Sequence, residues 1–170
     1  MSTTEQLSAA KAPERAQVYA VSLFPALSIP TRMRSESLYS GKGVCIAMID
    51  SGFTTHPDLT KPENRILRYY DAVSGTEAEL PPSNAEFYSW HGTMTACTAA
   101  GNGYLSRKLY SSLAYNAKVV LVRTMDEKGS IPTARIASAL DWCLENAKKY
   151  GINIINLSVY ADEMDTSAEH

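Results

Sequence analysis

Two residues of this sequence carry side chains suited to proton transfer and stand where a fold can bring them together: Asp50 and His91. Asp50 follows an apolar run, Val44 to Ile49, and precedes Ser51 and Gly52. Such a run predicts a strand buried on both faces of a parallel sheet. Because ligands collect at the carboxyl ends of parallel strands, Asp50 is a candidate site residue. An aspartate before Ser-Gly is equally typical of a residue that caps a turn.

His91 opens a segment of small residues that runs to Ala100 and is closed by Gly101 to Gly103. This composition predicts a helix that packs close to neighbouring backbone and ends at glycine, with Ser89 as its N-cap. His91 then lies in the first turn. Serine acyl transfer needs a nucleophilic hydroxyl, a histidine that takes its proton and a carboxylate that fixes the histidine tautomer. Brought together at the sheet edge, Asp50 and His91 supply the last two of these parts.

With these two segments the chain resembles the subtilisin family of serine proteases. The first motif is Gly43-Val44-x-Ile46-Ala47-x-Ile49-Asp50-Ser51-Gly52, followed by His56-Pro57-Asp58-Leu59. The second is His91-Gly92-Thr93 with Ala96-x-Thr98-x-Ala100-Gly101-Asn102-Gly103. The resemblance covers roughly residues 35 to 160. It implies a serine-type endopeptidase acting on a peptide or protein, with Asp50 as orienting carboxylate and His91 as general base and acid.

The serine that the resemblance calls for does not stand in a matching motif. The family places it in Gly-Thr-Ser-x-Ala at the start of a late helix, and this sequence has no such motif. Thr166-Ser167-Ala168 imitates it, but Asp165 replaces the glycine and no apolar helix follows. Ser167 is therefore not expected to be the nucleophile. We expect the triad serine to lie outside this chain, and the chain alone to be inactive.

Departures from the family pattern leave the substrate preference open. Met94 replaces a second histidine, and Cys97 replaces a glycine. After Ser158 the family usually places Leu-Gly-Gly, whereas this chain has Val159-Tyr160-Ala161. The resemblance implies that Ser158 and Tyr160 contact substrate, with Tyr160 blocking or reshaping the main pocket. The same departures also fit a non-catalytic relative that binds a peptide or partner in the crevice.

The apolar segments of the chain predict the fold class, an α/β doubly wound parallel sheet with helices on both faces. Besides the strand before Asp50, strands are predicted at 65–72, 118–123 and 152–157. A helical period predicts a helix from Pro132 to Tyr150, stopped by Gly151. Its predicted features are a Glu145–Lys149 pair and an apolar face made of Ile136, Leu140, Cys143, Leu144 and Ala147.

Shorter features are predicted with the same rules. A short helix is predicted at residues 31–39, and loops are predicted at residues 56–59 and 75–89. The strand at 152–157 is too apolar for an exposed edge, yet polar residues follow it from Ala161. We therefore expect a sheet incomplete at its carboxyl side. A missing C-terminal segment, or a separate chain in a split protease, would complete it.

Composition and charge narrow the class of protein and its partners. The chain has 16 Lys plus Arg and 18 Asp plus Glu, a net charge of -2, and no basic stripe, so no nucleic-acid partner is expected. We divide it into an N-terminal arm, 1–35, and the N-terminal part of a peptidase domain, 36–170. The apolar segment from Val18 to Leu27 is too short to span a bilayer and lacks a cleavage site. We therefore expect no membrane partner and a cytoplasmic location.

Candidate thiol and metal sites give no alternative chemistry. Cys45, Cys97 and Cys143 stand in apolar contexts, which predicts buried free thiols suited to a reducing compartment. His56 and Asp58 make two ligands without a third, so a loop-bracing Asp58 is expected, not a metal site. The loop at 104–112 offers no carboxylates for the structural calcium found in many relatives, and we expect no cofactor.

Overall fold

A computed structural model describes residues 27–35 and 39–160, with a five-stranded sheet at its centre. Most of the predicted N-terminal arm, and Ser167, lie outside the described residues. The strands are β1 Cys45–Asp50, β2 Ile66–Asp71, β3 Thr76–Ala78, β4 Lys118–Arg123 and β5 Ile152–Leu157. Their order is β3-β2-β4-β1-β5, and all pairs are parallel except β2 with β3. The helices are α1 Ile29–Arg32, α2 Pro57–Thr60, α3 Ser89–Ala100, α4 Thr133–Glu145 and α5 Ala147–Tyr150.

Strand β1 lies between β4 and β5, and its alternating side chains feed two separate cores. Ile46 and Met48 point to the face covered by α3, where Val119 and Leu121 of β4 join them. The neighbouring residues point to the face covered by α4, in a core made of Cys45, Ala47, Ile49, Val120, Val122, Ala139, Trp142 and Cys143. The predicted parallel α/β sheet with helices on both faces is confirmed.

The short helix α2 stands where a loop was predicted, so that prediction was wrong. His56 is its N-cap residue and accepts a hydrogen bond at Nδ1 from the Asp58 N–H, 3.2 Å away. Pro57 occupies the first helical position, where its missing N–H costs nothing. Helix α1 is also displaced from the predicted 31–39, because the hydroxyl of Ser28 caps it at its start.

The helix predicted from Pro132 to Tyr150 is divided into α4 and α5 at Asn146. The side-chain amide of Asn146 donates to the Trp142 carbonyl, 3.0 Å away, and so competes with the continuing helix. Gly151 has φ 64° and ends α5 as predicted.

The buried face of α4 differs from the predicted one. Trp142 stacks on Tyr70 with ring centroids 4.5 Å apart, which turns α4 so that Leu144 is 66% exposed. Lys149 lies 4.0 Å from Glu77 of the unpredicted strand β3, so the predicted pair with Glu145 is not formed. The stacking of the large Trp142 ring therefore decides which face of α4 is buried, and the spacing of apolar residues in the sequence does not.

Strand β5 is an edge of the sheet with much apolar surface in solvent. Within the part of the chain described, it pairs with β1 on one side and with no strand on the other. Ile154 is 50% and Leu157 46% exposed. No helix within residues 27–35 and 39–160 has the length and apolar character needed to cross a membrane.

The three cysteines are free thiols, with Cys45 and Cys143 buried and Cys97 half-buried. Burial raises the pKa of Cys45 to about 11 and those of Cys97 and Cys143 to about 12. Because the thiolate is the reactive form, all three are expected to be inert toward alkylation near neutral pH.

These raised pKa values predict a loss of stability at alkaline pH. In the unfolded chain a cysteine thiol has a pKa of about 8.5. Keeping these thiols neutral therefore stabilises the folded state fully below that pH, and this contribution is lost as the pH rises toward the pKa values of the folded protein. We expect the free energy of unfolding, measured in urea at pH 8, 9 and 10.5, to fall with pH. The fall should be smaller in Cys143→Ala. Parallel pH profiles for the two proteins would contradict this assignment.

Candidate active site

Asp50 lies at the carboxyl end of β1 with its side chain fully buried. Its Oδ1 accepts a hydrogen bond from the Ser51 N–H at 2.7 Å, and the Ser51 hydroxyl lies 3.1 Å from the same oxygen. The hydroxyl of Thr95 donates to Oδ2 at 2.8 Å. A buried carboxylate is costly unless its oxygens are satisfied, and these donors stabilise the charged form.

His91 lies in the first turn of α3, with Nδ1 2.8 Å from Oδ1 of Asp50. The structure thus brings together the two residues that the sequence singled out. The His91 side chain is 37% exposed, whereas the Asp50 carboxylate beneath it is fully buried. A proton on Nδ1 that is donated to Asp50 leaves the lone pair on Nε2, where it can accept a proton from a third group.

The start of α3 differs from the prediction in one respect. Ser89 is the first residue of the helix, not its N-cap, and Tyr88 holds the cap position without a side-chain bond. The Ser89 hydroxyl instead donates to the Glu86 carbonyl and accepts from the Glu86 N–H. It therefore closes the loop before the helix.

Gly92 allows α3 to approach β1 closely enough for the Asp50–His91 contact. A Cβ atom at Gly92 would lie 2.2 Å from the Gly52 carbonyl oxygen and 3.0 Å from the Asp50 Cβ. Gly52 is crowded as well, since its Cβ would lie 2.5 Å from the ring of Tyr88. The predicted close packing of this helix on neighbouring backbone is confirmed.

Substituting Gly92 by alanine is expected to destabilise the protein by about 3 kcal/mol, since backbone must move to admit the methyl group. The imidazole should also separate from Asp50, which is detectable as loss of the downfield Nδ1–H proton signal in NMR. Thr98→Ala, at an exposed position on the same helix, is the control and should change neither measurement. A Gly92→Ala protein of wild-type stability would contradict this account.

A cleft of about 640 Å³ opens beside the pair. Ser158 and Tyr160, the residues predicted to contact substrate, lie in its wall together with Asp50 and His91. The sequence analysis missed other residues of the lining, namely Phe87, Tyr88, Trp90, Met125, Gly129, Ile131 and Leu157. The aromatic residues immediately before His91 were the available signal for this wall.

A hydroxyl bonded to His91 is not found among the described residues. Ser51 is adjacent in sequence to Asp50, but its hydroxyl donates to the Tyr88 carbonyl at 2.7 Å, the shorter of its two contacts. Ser158 lines the cleft, and its hydroxyl bonds to Asn156. Within 27–35 and 39–160, no group of three or more His, Cys, Asp or Glu is placed to hold a metal ion.

Asp58 braces the loop after α3, as the sequence predicted. Its Oδ1 accepts a hydrogen bond from the Leu105 N–H at 2.9 Å. The Cys97 thiol lies 3.3 Å from Nδ1 of His56, and neither of these two residues lines the cleft beside His91. These contacts tie α2, α3 and the following loop together.

A buried carboxylate bonded to an exposed imidazole, at the carboxyl edge of a parallel sheet, is the Asp–His arrangement of hydrolases that use a serine nucleophile. Comparison with known proteins agrees with this class. The sequence profile of the Subtilase family matches residues 41–168. The chain belongs to this family of serine proteases.

Similar proteins are longer than this chain. It is 30% identical over 135 residues to Serine protease AprX of Bacillus subtilis, covering 78% of this chain and 28% of AprX. It is 32% identical over 124 residues to Subtilisin-like protease 11 of Arthroderma gypseum, covering 71% of this chain and 27% of that protein. The chain thus spans less than a third of the length of these two relatives.

Solved structures show the same fold. The CspB protease of Clostridium perfringens superposes with a TM-score of 0.64 at 19% identity, over 82% of this chain and 34% of that one. A protease of Pseudoalteromonas arctica gives a TM-score of 0.54 at 27% identity, over 71% of this chain and 42% of that one. The subtilisin-like fold expected from the sequence is therefore confirmed.

Proposed function

We propose that this chain carries the Asp50 and His91 part of the triad of a subtilisin-like serine endopeptidase, and that the nucleophilic serine comes from outside residues 1–170. The observation that carries this proposal is the 2.8 Å contact between His91 Nδ1 and Asp50 Oδ1 at the edge of an open cleft. Membership of a serine protease family supports the reaction class.

In the proposed mechanism Asp50 stays ionised and holds the proton on Nδ1 of His91. Nε2 then accepts the proton of the serine hydroxyl as its oxygen attacks the scissile carbonyl carbon. The buried carboxylate stabilises the imidazolium that results. His91 returns the proton to the leaving amine when the peptide C–N bond breaks, and the same residue activates water to release the acyl group.

The substrate is proposed to be an extended peptide segment laid along the end of β5. The Ser158 N–H still donates to the Ile49 carbonyl of β1 at 3.2 Å, and the backbone continues past this bond at Val159. A peptide can add hydrogen bonds along such a strand end. The aromatic and aliphatic lining of the cleft supports apolar contact with substrate side chains. Tyr160, 83% exposed, would meet those side chains.

The test is to sequence the transcript beyond the codon for His170 and to express the whole reading frame. A frame that continues to a Gly-Thr-Ser-x-Ala motif, and a product labelled by a fluorophosphonate at that serine, would support the proposal. The 170-residue chain alone should take up no label. Labelling of this chain by itself would place the nucleophile within it and overturn the assignment.

A second candidate function is a split protease completed by a separate chain. The edge strand β5, with Ile154 and Leu157 exposed, favours this function. The unpaired N–H and C=O groups of an edge strand readily form hydrogen bonds with a strand from another chain. Co-expression with a carboxyl-half subtilase chain that carries the serine should give a stable complex with peptidase activity. A pair that yields neither complex nor activity would exclude it.

A further inference from the structure

The two oxygens of the Asp50 carboxylate have different sets of partners. Oδ1 faces Ser51 and His91, whereas Oδ2 receives the hydroxyl of Thr95 at 2.8 Å. Within the described residues, Thr95 is the one hydrogen-bond donor to Oδ2. Because Asp50 is fully buried, solvent does not replace a missing donor there.

Thr95 reaches this oxygen because it stands four residues after His91 in α3. Residues at this spacing project from the same face of a helix, so one helix supplies both the imidazole and the hydroxyl. The Thr95 hydroxyl lies 2.9 Å from the Gly92 carbonyl as well. A carboxylate oxygen is the stronger acceptor of the two, and the branched side chain has few rotamers in a helix.

We propose that Thr95 is a positioning residue that fixes the plane of the Asp50 carboxylate and thereby orients His91 for proton transfer. Without Thr95, the partners of the carboxylate, Ser51 and His91, both lie on Oδ1, and the group can turn about its Cβ–Cγ bond. A donor on the second oxygen removes this freedom and keeps Oδ1 aimed at Nδ1 of His91. The proposal rests on the proposed function of the Asp50–His91 pair.

The test measures the titration of His91 by NMR in the 170-residue chain. Without the hydroxyl the carboxylate is free to turn, so Oδ1 no longer stays aimed at Nδ1 and the imidazolium loses part of its anionic partner. Thr95→Val should therefore lower the pKa of His91 measurably. Thr95→Ser retains the donor and should titrate as the wild type does. The ionisable groups that line the cleft beside His91 are Asp50, Tyr88 and Tyr160, and of these Asp50 contacts the imidazole.

Thr93 offers a matched control for structural effects. It lies in the same helix, is buried, and its hydroxyl bonds to the Ser89 carbonyl and the Thr54 N–H, not to Asp50. Thr93→Val should lower stability and leave the pKa of His91 unchanged. If Thr95→Val does not fold, Thr95→Ala removes the same hydroxyl without pressing a methyl group on Oδ2 and gives the same measurement.

An unchanged pKa of His91 in folded Thr95→Val or Thr95→Ala would overturn the proposal, as would an equal shift in Thr93→Val. In a form that contains the serine, Thr95→Val should lower kcat about tenfold with little change in KM. The NMR readout needs no serine, so the two failures are separable. A shift without peptidase activity in the complete protein contradicts the proposed function alone, and activity without a shift contradicts the role of Thr95.

Discussion

Replacing Asp50 by asparagine, in a form of the protein that contains the serine, is expected to lower kcat about 10⁴-fold. The amide has almost the same shape but carries no charge, so it does not stabilise the imidazolium that forms as His91 takes the serine proton. The change in KM should be small, because Asp50 lies fully buried beneath the His91 ring. The measurement is steady-state hydrolysis of a peptide substrate.

Replacing His91 by alanine removes the base itself and is expected to lower kcat about 10⁶-fold. Met94→Ala is the matched control, because Met94 is exposed on the same helix and lies outside the lining of the cleft. It should stay within a few fold of the wild type. Turnover that survives His91→Ala contradicts the triad assignment. Peptide binding that survives it, in a protein that never hydrolyses peptide, would identify a non-catalytic relative.

The largest effect on stability is expected at Arg65, whose buried side chain joins three elements. Its Nη1 donates to the carbonyls of Ala100 at 2.6 Å and Ala117 at 2.9 Å, and its Nη2 donates to the carbonyl of Asp58. Ala100 ends α3, Ala117 precedes β4 and Asp58 lies in α2. Burial lowers the pKa of Arg65, yet a guanidinium stays charged in proteins.

Arg65→Met should therefore reduce the free energy of unfolding by about 3–5 kcal/mol, since buried carbonyl oxygens lose charged donors. Arg65→Lys should recover only part of this loss. A lysine ammonium group can still donate to the carbonyls but cannot match the planar arrangement of donors in a guanidinium. Urea denaturation monitored by circular dichroism gives these values. Arg107→Met, at an exposed arginine, is the control and should change stability by less than about 0.5 kcal/mol. A similar small loss for Arg65→Met would show that the junction contributes little.

The sequence was most informative where the residues of a strand are mainly β-branched and apolar. Lys118–Arg123 and Ile152–Leu157 were predicted to the residue. Val119 to Val122 mark the first of them, and Gly151 marks the start of the second. The position of Asp50 at the end of an apolar run and of His91 at the start of a small-residue helix followed from the same patterns. Both candidate residues could therefore be named before any distance between them was known.

Elements held by distant contacts escaped the sequence analysis. Strand β3 is polar and exposed, and it forms against β2 while Glu77 accepts hydrogen bonds from Trp142 and Tyr150. Helix α4 turned away from its predicted face because Trp142 stacks on a ring from β2. Neither contact has a local signature, since its partners lie more than sixty residues apart.

The sequence by itself determined the class of fold, the two residues for proton transfer and the family resemblance, because these depend on local patterning and on motifs read in order. The tertiary structure decided the geometry of the pair. It placed Asp50 Oδ1 2.8 Å from His91 Nδ1 and brought the Thr95 hydroxyl within hydrogen-bond distance of Oδ2. Gly92 allows helix α3 to approach β1 closely enough for both contacts. Hydrogen bonds of this kind join segments about forty residues apart, and their lengths are fixed by how closely helix and sheet pack.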